Sequence, residues 1–330
     1  MNVVTGATGY IGGVLTRALV NRDGSVRGVR HRRQPWFDEP VEWVEGDVLD
    51  RDSMVAAFQD ADVVFHLAAE VSVDRRMEKL VWDTNVTGTR NVVEAAVECR
   101  VRRLVYLSSI HAYDQRPVHE ALDEARGHGT PVTVYDAAKA GAEAEVRGGI
   151  ARGLDAVILN PTGVIGPYDA EPSQLGRVFV DLCRRNLPAL TTGGFDWVDV
   201  RDVVKGVMAA EILGRCGENY ILSGRWHSMV ELARMCHDAT GAPVPRFVCP
   251  ITVAQAWSPV QVAWDRSRGR RPRFTRNALA MLKTSNRRIS SAKARSELGF
   301  DPRPTADSVR DAYRWWIDRE HRSGNHGWDS

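Results

Sequence analysis

The sequence has few cysteines and no long apolar run. Its five cysteines are scattered, odd in number and never spaced as CxxC, so they suggest neither a disulfide framework nor a zinc site. We therefore expect no metal and a reducing, cytoplasmic environment. No stretch reaches the ~18 apolar residues needed to span a bilayer, and the first segment lacks a basic region ahead of an apolar run. Neither a signal peptide nor a membrane partner is expected.

The chain also lacks an excess of charge. Lys and Arg total 44 against 42 for Asp and Glu, a net charge of +2 over 330 residues. Such a balance gives no general field for polyanions, so nucleic acid is not an expected partner. The hydrophobic fraction of 43% and the length are those of a globular protein with one large domain and a smaller second one.

In the first half of the chain, short β-branched runs alternate with helical patterns. The predicted strands are Met1–Thr5, Ser25–Val29, Val41–Val44, Asp62–Leu67, Arg103–Leu107 and Asp155–Leu159. The predicted helices between them are Tyr10–Asn21, Arg51–Gln59, Glu78–Cys99 and Val132–Arg152. This alternation indicates an α/β fold, a Rossmann-type doubly wound parallel sheet with helices on both faces and right-handed crossovers.

The pattern changes after Pro161. The stretch NPTGVIGPYDAEPS, residues 160–173, is rich in Pro and Gly and predicts a loop. Beyond it the predicted elements are helices Val198–Gly214, Met229–Thr240, Ile251–Trp264 and Thr305–Arg319 and a strand at Glu218–Ser223. We interpret residues 1–165 as a dinucleotide-binding domain to which residues 196–223 return. Residues 166–330 then form mainly a smaller, mostly helical C-terminal substrate lobe.

A glycine-rich turn separates the first predicted strand from the first predicted helix. It reads Thr5-Gly6-Ala7-Thr8-Gly9-Tyr10-Ile11-Gly12. Glycines at such a turn let a pyrophosphate approach the helix N-terminus closely. The residues expected to bind a dinucleotide here are Gly6, Thr8, Gly9, Tyr10 and Ile11.

Basic residues follow the second predicted strand. Arg30 stands where an acidic residue would bind the ribose 2′-hydroxyl of NAD, and Arg32 lies two residues on. A guanidinium matches a phosphate bidentately, so this position favours the 2′-phosphate of NADP, with NAD as the other possibility. A solvated basic loop would give the same run of arginines.

A tyrosine, a lysine and a pair of serines form a candidate catalytic set. Tyr135 and Lys139 are four residues apart on one predicted helix, so they share a face. An ammonium beside the phenol, together with a positive nicotinamide, is expected to lower the pKa of Tyr135 and make it an acid or base. Ser108 and Ser109 end a predicted strand at the carboxyl edge of the sheet, where ligands of open α/β folds bind.

These motifs and several others resemble the extended short-chain dehydrogenase/reductase family, in its epimerase/dehydratase and dihydroflavonol-reductase-like branch. The segments that carry the resemblance are TGATGYIG at 5–12, GDVLD at 46–50, HLAA at 66–69, NVTGT at 85–89, YLSS at 106–109, YDAAK at 135–139, NPTGVIGP at 160–167, WVDVRDV at 197–203 and ARSELGFDPRP at 294–304. They extend over nearly the whole chain. One departure is Ala138, where the family commonly has Ser.

The resemblance implies a role for each matched residue. Tyr135 would be the acid/base, Lys139 would lower its pKa and bind the nicotinamide ribose, and Ser109 would hydrogen-bond the substrate oxygen. The further cofactor contacts that it implies are Asp47 and Val48 on adenine, Leu67, Ala68 and Ala69 along the phosphate and ribose, and Pro161, Thr162, Gly163 and Val164 at the carboxamide. It also implies that Asn85 supports the lysine through a water or only holds sheet and helix together.

Three functions remain open at this stage. Arg30 favours an NADP-dependent carbonyl reductase or alcohol dehydrogenase. A nucleotide-sugar epimerase or dehydratase with retained NAD is the main alternative, although Ile110 and His111 stand where dehydratases carry an acidic pair. A non-catalytic dinucleotide-sensing protein is the third.

The substrate is not identified by the sequence. His111, Tyr168, Trp197 and the segment Ile251–Trp264 are candidate pocket walls, because loops beyond the sheet and the second lobe must close over the nicotinamide. Trp257 and Trp264 could instead pack between the lobes, and the arginines between 266 and 276 suggest a surface turn or a phosphate site. The resemblance further implies a homodimer through helices 78–99 and 132–152.

Overall fold

The computed structural model describes residues 1–72, 74–184, 186–187, 189–268 and 275–323. The strands are β1 (Asn2–Thr5), β2 (Val26–Arg30), β3 (Glu42–Glu45), β4 (Val63–His66), β5 (Arg103–Leu107), β6 (Ala156–Pro161), β7 (Gly163–Ile165), β8 (Leu190–Thr191), β9 (Gly194–Asp199), β10 (Asn219–Leu222), β11 (Arg225–Ser228) and β12 (Val248–Cys249). The α-helices are α1 (Tyr10–Asp23), α2 (Arg51–Ala57), α3 (Glu78–Trp82), α4 (Gly88–Glu98), α5 (Val134–Ile150), α6 (Gln174–Cys183), α7 (Val200–Leu213), α8 (Met229–Thr240), α9 (Ile251–Ser267), α10 (Arg276–Thr284), α11 (Ala292–Leu298) and α12 (Thr305–Ser323).

The central sheet has seven strands in the order β10-β6-β5-β4-β1-β2-β3. Every neighbouring pair in it is parallel. From β1 the chain first adds strands on one side and then, from β4, on the other. The reversal opens a crevice at the carboxyl ends of β1 and β4, the usual ligand site of a doubly wound sheet. The predicted Rossmann-type fold is confirmed.

Helices cover both faces of the sheet, as the apolar strands require. On one face Leu15 and Leu19 of α1 pack with Val203 of α7. On the other, Met54 of α2 and Val92 of α4 pack with the buried face of α5. Burial of each such side chain stabilises the fold by ~1.5–3 kcal/mol.

The predicted helix over 78–99 is interrupted by a turn of π-helix at Asp83–Thr87, between α3 and α4. Asn85 lies in this turn, and its amide Nδ2 donates to the carbonyl oxygens of Val81 and Glu70 at 2.9 and 2.8 Å. The backbone N–H of Glu70 donates to Asn85 Oδ1 in return. The side chain therefore ties the segment after β4 to the helix, and π turns of this kind are frequent at functional sites.

A second lobe packs around its own apolar cluster. Phe179 of α6, Leu232 of α8 and Tyr313 of α12 meet there, and β7, β9 and β11 form a small sheet beside them. The predicted loop at 160–173 is wrong for Gly163–Ile165, which pair in parallel with β9. Gly163 permits this pairing, because a Cβ there would lie 2.9 Å from the carbonyl oxygen of Asp196.

After β9 the chain returns to the central sheet. Helix α7 packs on the sheet with α1, and β10 pairs in parallel with β6 at its edge. Among the described residues, no helix combines the length and the apolar character needed to cross a membrane.

Candidate active site

The glycine-rich turn lies at the crevice, between β1 and α1. Gly6 adopts a φ of +70°, and a Cβ there would lie 2.7 Å from the backbone nitrogen of Ala68. A Cβ on Gly12 would lie 2.0 Å from the carbonyl oxygen of Gly6. No acidic residue occupies the first turn of α1, so the amides of that turn favour an anion. This cradle, which any side chain would fill, fits the pyrophosphate of a dinucleotide.

The segment after β4 forms one wall beside the turn. The backbone N–H of Leu67 donates to the carbonyl oxygen of Thr5 at 3.2 Å, and that of Ala68 donates to Thr5 Oγ1 at 3.4 Å. Asn85 holds Glu70 just beyond Ala69. The structure thus brings Leu67–Ala69 against Gly6, and Asn85 supports this wall.

His66 lies under that wall and is fully buried. Its Nδ1 lies 2.7 Å from Thr5 Oγ1 and its Nε2 lies 3.0 Å from Thr89 Oγ1. Burial, with a smaller contribution from Lys139, lowers the pKa of His66 to about 3. The ring is therefore neutral at physiological pH.

Charged side chains collect at the carboxyl end of β2. Arg30 Nε donates to Glu45 Oε1 at 2.7 Å, so the arginine forms an ion pair with the facing residue of β3. Arg32 is exposed to solvent two residues on. The backbone N–H of Leu49 donates to Asp47 Oδ1, and Val48 packs against Gly88 at the start of α4. Glu45 is a feature of this region that the sequence analysis missed.

Ser109, Tyr135 and Lys139 come together at the carboxyl end of β5. Ser109 begins a short 3-10 turn, Ile110–Ala112, where its hydroxyl accepts from the backbone N–H of His111 at 3.2 Å, and it also interacts with the Tyr135 phenol. Lys139 Nζ donates to the carbonyl oxygen of Leu107 at 3.2 Å and lies 6.0 Å from the centre of the Tyr135 ring. All three are buried, with 7%, 7% and 2% exposure respectively.

Burial dominates the protonation of this set. It raises the pKa of Tyr135 to about 12, against the lowering effect of the Ser109 hydrogen bond. It lowers the pKa of Lys139 to about 8, against the raising effect of Glu143. In the protein alone, removal of the phenolate from water therefore outweighs the interaction with Ser109, and the expected lowering by a positive nicotinamide stays a prediction.

The first turn of α5 is fixed by a capping box. Thr133 Oγ1 accepts from the Asp136 N–H, and Asp136 Oδ2 accepts from the Thr133 N–H. His111 Nδ1 lies 3.0 Å from Asp136 Oδ1, and its ring meets that of Tyr135 edge to face at 5.7 Å. Burial opposes ionisation, yet these contacts hold the pKa of Asp136 below its ordinary value.

The carboxyl end of β6 leads directly into β7 beside the crevice. Pro161 is the last residue of β6, and Gly163 and Val164 begin β7. Thr162 Oγ1 donates to Asp196 Oδ1 at 2.7 Å. Burial raises the pKa of Asp196 to about 6, against this hydrogen bond.

The other proposed pocket walls do not meet at the tyrosine. Tyr168 stacks on Trp36 with ring centres 5.9 Å apart, and the guanidinium of Arg17 lies over both rings. Trp197 is only 2% exposed and packs edge to face on Phe179, so it belongs to the core of the second lobe. Neither side chain lies beside His111, because both are held by neighbours from elsewhere in the fold.

A methionine from α10 reaches the catalytic side instead. Met281 packs in the apolar cluster that contains Tyr135 and Ala138. A cavity beside this cluster is lined by His111, Gln115, Val132 and Met281. The sequence analysis missed Met281, because no local pattern indicates which face of α10 turns toward α5.

Two other sequence features lie away from this cavity. Trp257 and Trp264 on α9 are 64% and 58% exposed, so they do not pack between the lobes. In the basic segment, residues 269–274 lie outside the described residues. Among the residues that the structure describes, no group of His, Cys, Asp and Glu side chains could hold a metal ion.

Comparison with known proteins assigns the chain to a family. Residues 2–220 match the model of the NAD dependent epimerase/dehydratase family. The chain is 34% identical to sterol demethylase protein B of Methylococcus capsulatus over 96% of this chain and 98% of that one. It is 30% identical to a putative dihydroflavonol 4-reductase of Synechocystis over 95% and 93%.

A solved structure is also similar throughout. The crystal structure of gox2253 superposes with a TM-score of 0.84 and 31% identity over 98% of this chain and 99% of that one. The chain therefore belongs to the NAD-dependent epimerase/dehydratase family of extended short-chain dehydrogenases/reductases and is an NAD(P)-dependent oxidoreductase.

Proposed function

We propose that the protein is an NADP-dependent carbonyl reductase or alcohol dehydrogenase, which interconverts a ketone or aldehyde with the alcohol. The observation that carries the proposal is the buried contact of Ser109 with Tyr135 beside Lys139. Arg30 at the end of β2 supports NADP. The similarity to a putative dihydroflavonol 4-reductase over nearly the whole chain agrees with a reductase.

The dinucleotide would be held along the crevice by the residues that line it. Gly6, Thr8, Gly9, Tyr10 and Ile11 would face the pyrophosphate, and Arg30 and Arg32 would face the 2′-phosphate. The other proposed contacts are Asp47, Val48, Leu67, Ala68, Ala69, Lys139, Pro161, Thr162, Gly163 and Val164. When bound, the nicotinamide accepts or delivers the hydride.

In the direction of reduction, Tyr135 would donate its phenolic proton to the carbonyl oxygen of the substrate. Ser109, already within hydrogen-bonding reach of that phenol, would donate to the same oxygen. The ammonium of Lys139 would stabilise the phenolate that forms, since opposite charges attract strongly in a site with little water. In the direction of oxidation the phenolate would take the proton from the alcohol.

The pocket for the remainder of the substrate would lie between α5 and α10. His111 supplies a polar wall, which Asp136 fixes, and Met281 supplies an apolar one. We do not propose Tyr168 and Trp197 as substrate contacts, because Tyr168 stacks on Trp36 and Trp197 packs on Phe179.

A nucleotide-sugar epimerase or dehydratase with retained NAD is the second candidate. The observation in its favour is Glu45, whose Oε1 lies 2.7 Å from Arg30 Nε. The guanidinium is therefore already paired with a carboxylate. An acidic residue near the end of β2 would also suit a ribose with a free 2′-hydroxyl.

A direct experiment separates the two candidates. Freshly purified protein is denatured, any released dinucleotide is identified, and emptied protein is titrated with NADPH and NADH. Ketones and aldehydes are then screened with NADPH, with Tyr135→Phe as the inactive control. We expect freely exchanging NADPH and turnover of a carbonyl substrate. Stoichiometric, tightly held NAD with conversion of nucleotide sugars would overturn the reductase assignment.

We also propose that the protein is a homodimer. Leu80 and Trp82 of α3 are 41% and 43% exposed, and the neighbouring α5 has the small residues Ala140 and Ala144 away from its core face. Light scattering of the full chain, with Trp82→Glu as the disrupted form, tests the proposal. A monomeric wild-type protein would overturn it.

A further inference from the structure

A carboxylate that the mechanism above does not use lies one helical turn beyond the catalytic lysine. Glu143 of α5 is fully buried, and Lys139 four residues before it is 2% exposed. Residues four apart share one face of a helix, so both side chains point toward the same end of the sheet. A buried carboxylate is costly unless it is well partnered, so its contacts show what it holds.

Glu143 binds the ends of three strands. Its Oε1 accepts from Ser108 Oγ, after β5, and from Asn160 Nδ2 of β6, both at 2.6 Å. Its Oε2 accepts from Asn219 Nδ2 of β10 at 3.1 Å, and Asn219 Nδ2 also donates to Asn160 Oδ1 at 2.9 Å. The carboxylate therefore joins α5 to β5, β6 and β10.

The same network reaches the backbone of the catalytic serine. Asn160 Nδ2 donates to the carbonyl oxygen of Ser109 at 3.0 Å, as well as to Glu143. Two residues before Ser109, the carbonyl oxygen of Leu107 at the end of β5 accepts from Lys139 Nζ. Two side chains of one helix thus hold consecutive residues at one strand end, and the separation of Ser109 from Tyr135 depends on both.

The charge of Glu143 also acts on the lysine. Burial lowers the pKa of Lys139, and Glu143 is the group that raises it. Other ionisable groups face the same space from neighbouring elements: Tyr106 on β5, Tyr113 after β5, Tyr135 and Arg147 on α5, and His66 on β4. Of these, His66 is neutral and burial raises the pKa of each tyrosine, whereas Glu143 is the acidic group that raises the pKa of Lys139.

We propose that Glu143 is a positioning residue with two effects: it fixes Ser109 relative to Tyr135 through Ser108 and Asn160, and from one helical turn away it acts electrostatically on the buried Lys139. Its first effect bears on the proposed function, since it concerns catalytic geometry. Its second effect does not depend on which substrate the enzyme takes.

The small number of lysines makes the second effect measurable without a substrate. The chain contains only Lys79, Lys139, Lys205, Lys283 and Lys293. In full-length protein labelled with ¹³C at lysine Cε, the Lys139 signal is assigned from its loss in Lys139→Arg and followed against pH. We expect titration with a pKa of about 8 in the wild type and at a lower pH in Glu143→Gln. An unchanged Lys139 pKa in Glu143→Gln would overturn the proposal.

Asp202→Asn is the matched control. Asp202 is also a buried carboxylate on a helix against the sheet, but it accepts hydrogen bonds from Arg303. This variant loses a buried charge and is expected to lose stability without a shift in the Lys139 titration. An equal shift in both variants would show a general effect of destabilisation and would count against Glu143.

A wild-type measurement covers the case in which Glu143→Gln does not fold. The side-chain carboxyl carbon of Glu143 is assigned in ¹³C-glutamate-labelled protein from its loss in Glu143→Asp. A chemical shift typical of a protonated carboxyl group at pH 7 would remove the charge that the proposal needs, and that of a carboxylate would support it.

Kinetics with a carbonyl substrate from the NADPH screen test the first effect. In Glu143→Gln we expect a loss of kcat of tenfold or more, a shift of the alkaline limb of kcat to lower pH and little change in KM for NADPH. Partial recovery is expected in Glu143→Asp. An unshifted limb with wild-type kcat would overturn the positioning role, whereas inactivity of the wild type toward every carbonyl would count against the proposed function alone.

Discussion

The two ends of the candidate site differ in how far their polar and charged side chains are removed from water. At the catalytic end, Lys139 and Tyr135 are buried, and Lys139 Nζ donates to the carbonyl oxygen of Leu107 at the end of β5. At the adenosine end, the Arg30 side chain is 31% exposed and its partner Glu45 is 68% exposed. Water screens charges at the second end but not at the first. Substitutions at the buried end should therefore have large effects on chemistry, and those at the exposed end small effects on cofactor preference.

Removal of the phenol tests the buried end most severely. Tyr135→Phe keeps the ring in its apolar cluster but removes the proton that the mechanism transfers. We expect kcat for carbonyl reduction to fall by ~10²–10⁴, the usual contribution of a general acid. NADPH binding should change little, and its titration is the control. Retention of most of the turnover would remove Tyr135 from the acid role.

A buried histidine offers a second test of the same end, on stability. The pKa of His66 is about 3 when folded and ordinarily 6.5, so below pH 6.5 the unfolded chain takes up a proton that the folded chain excludes. The free energy of unfolding should then fall as pH falls from 6.5 toward 3, by ~1.4 kcal/mol per pH unit, or ~2 kcal/mol at pH 5. Urea unfolding at pH 7 and pH 5 measures this loss.

His66→Gln is the matched variant, since an amide can serve both Thr5 and Thr89. It should lose about 2 kcal/mol less than the wild type between pH 7 and pH 5. The same pH dependence in both proteins would mean that His66 titrates normally.

The exposed end is probed by Arg30→Ala. Loss of a guanidinium that is partly in water should weaken NADPH binding by about tenfold, or ~1.4 kcal/mol, and leave NADH binding nearly unchanged. Fluorescence titration with the two cofactors gives the ratio. Equal losses for both would show that Arg30 does not contact the 2′-phosphate.

The smallest effect is expected for Glu45→Gln. The substitution removes the carboxylate that competes for Arg30, so NADPH should bind a few-fold more tightly, within the ~1 kcal/mol of an exposed ion pair. The gain should disappear in the Arg30→Ala background. Weaker NADPH binding in Glu45→Gln would mean that the carboxylate orients Arg30 instead of competing for it.

The parts of the fold that were predictable from sequence are those with local causes. The inner strands of the central sheet, such as β4 and β6, are buried on both faces and show as apolar runs, and Tyr135 and Lys139 share a helix face by their spacing alone. The sequence also contains a signal for helix α6. Ser173 caps the helix by accepting from the Gly176 N–H, and apolar residues follow at helical spacing. The Pro/Gly-rich stretch before it drew the interpretation toward a loop.

The remaining features depend on contacts between distant segments. Arg30 meets Glu45 only through the register of β2 and β3, and Tyr168 meets Trp36 only because the segment after β2 folds back across α1. Trp197 lies in the core instead of at the pocket, and Met281 lines the cavity, because the packing of the second lobe decides which side chain is interior. The periodicity of hydrophobic residues within one helix or strand does not predict such contacts between distant segments.

The late position of β10 has a consequence for synthesis on the ribosome. Until residue 222 has left the exit tunnel, β6 is an unpaired edge strand, although its other neighbours in the sheet have already emerged. An exposed parallel edge is prone to intermolecular pairing. Nascent chains stalled with residue 161 outside the exit tunnel and residue 219 still inside it should therefore recruit chaperones or aggregate, and release of β10 should end that dependence.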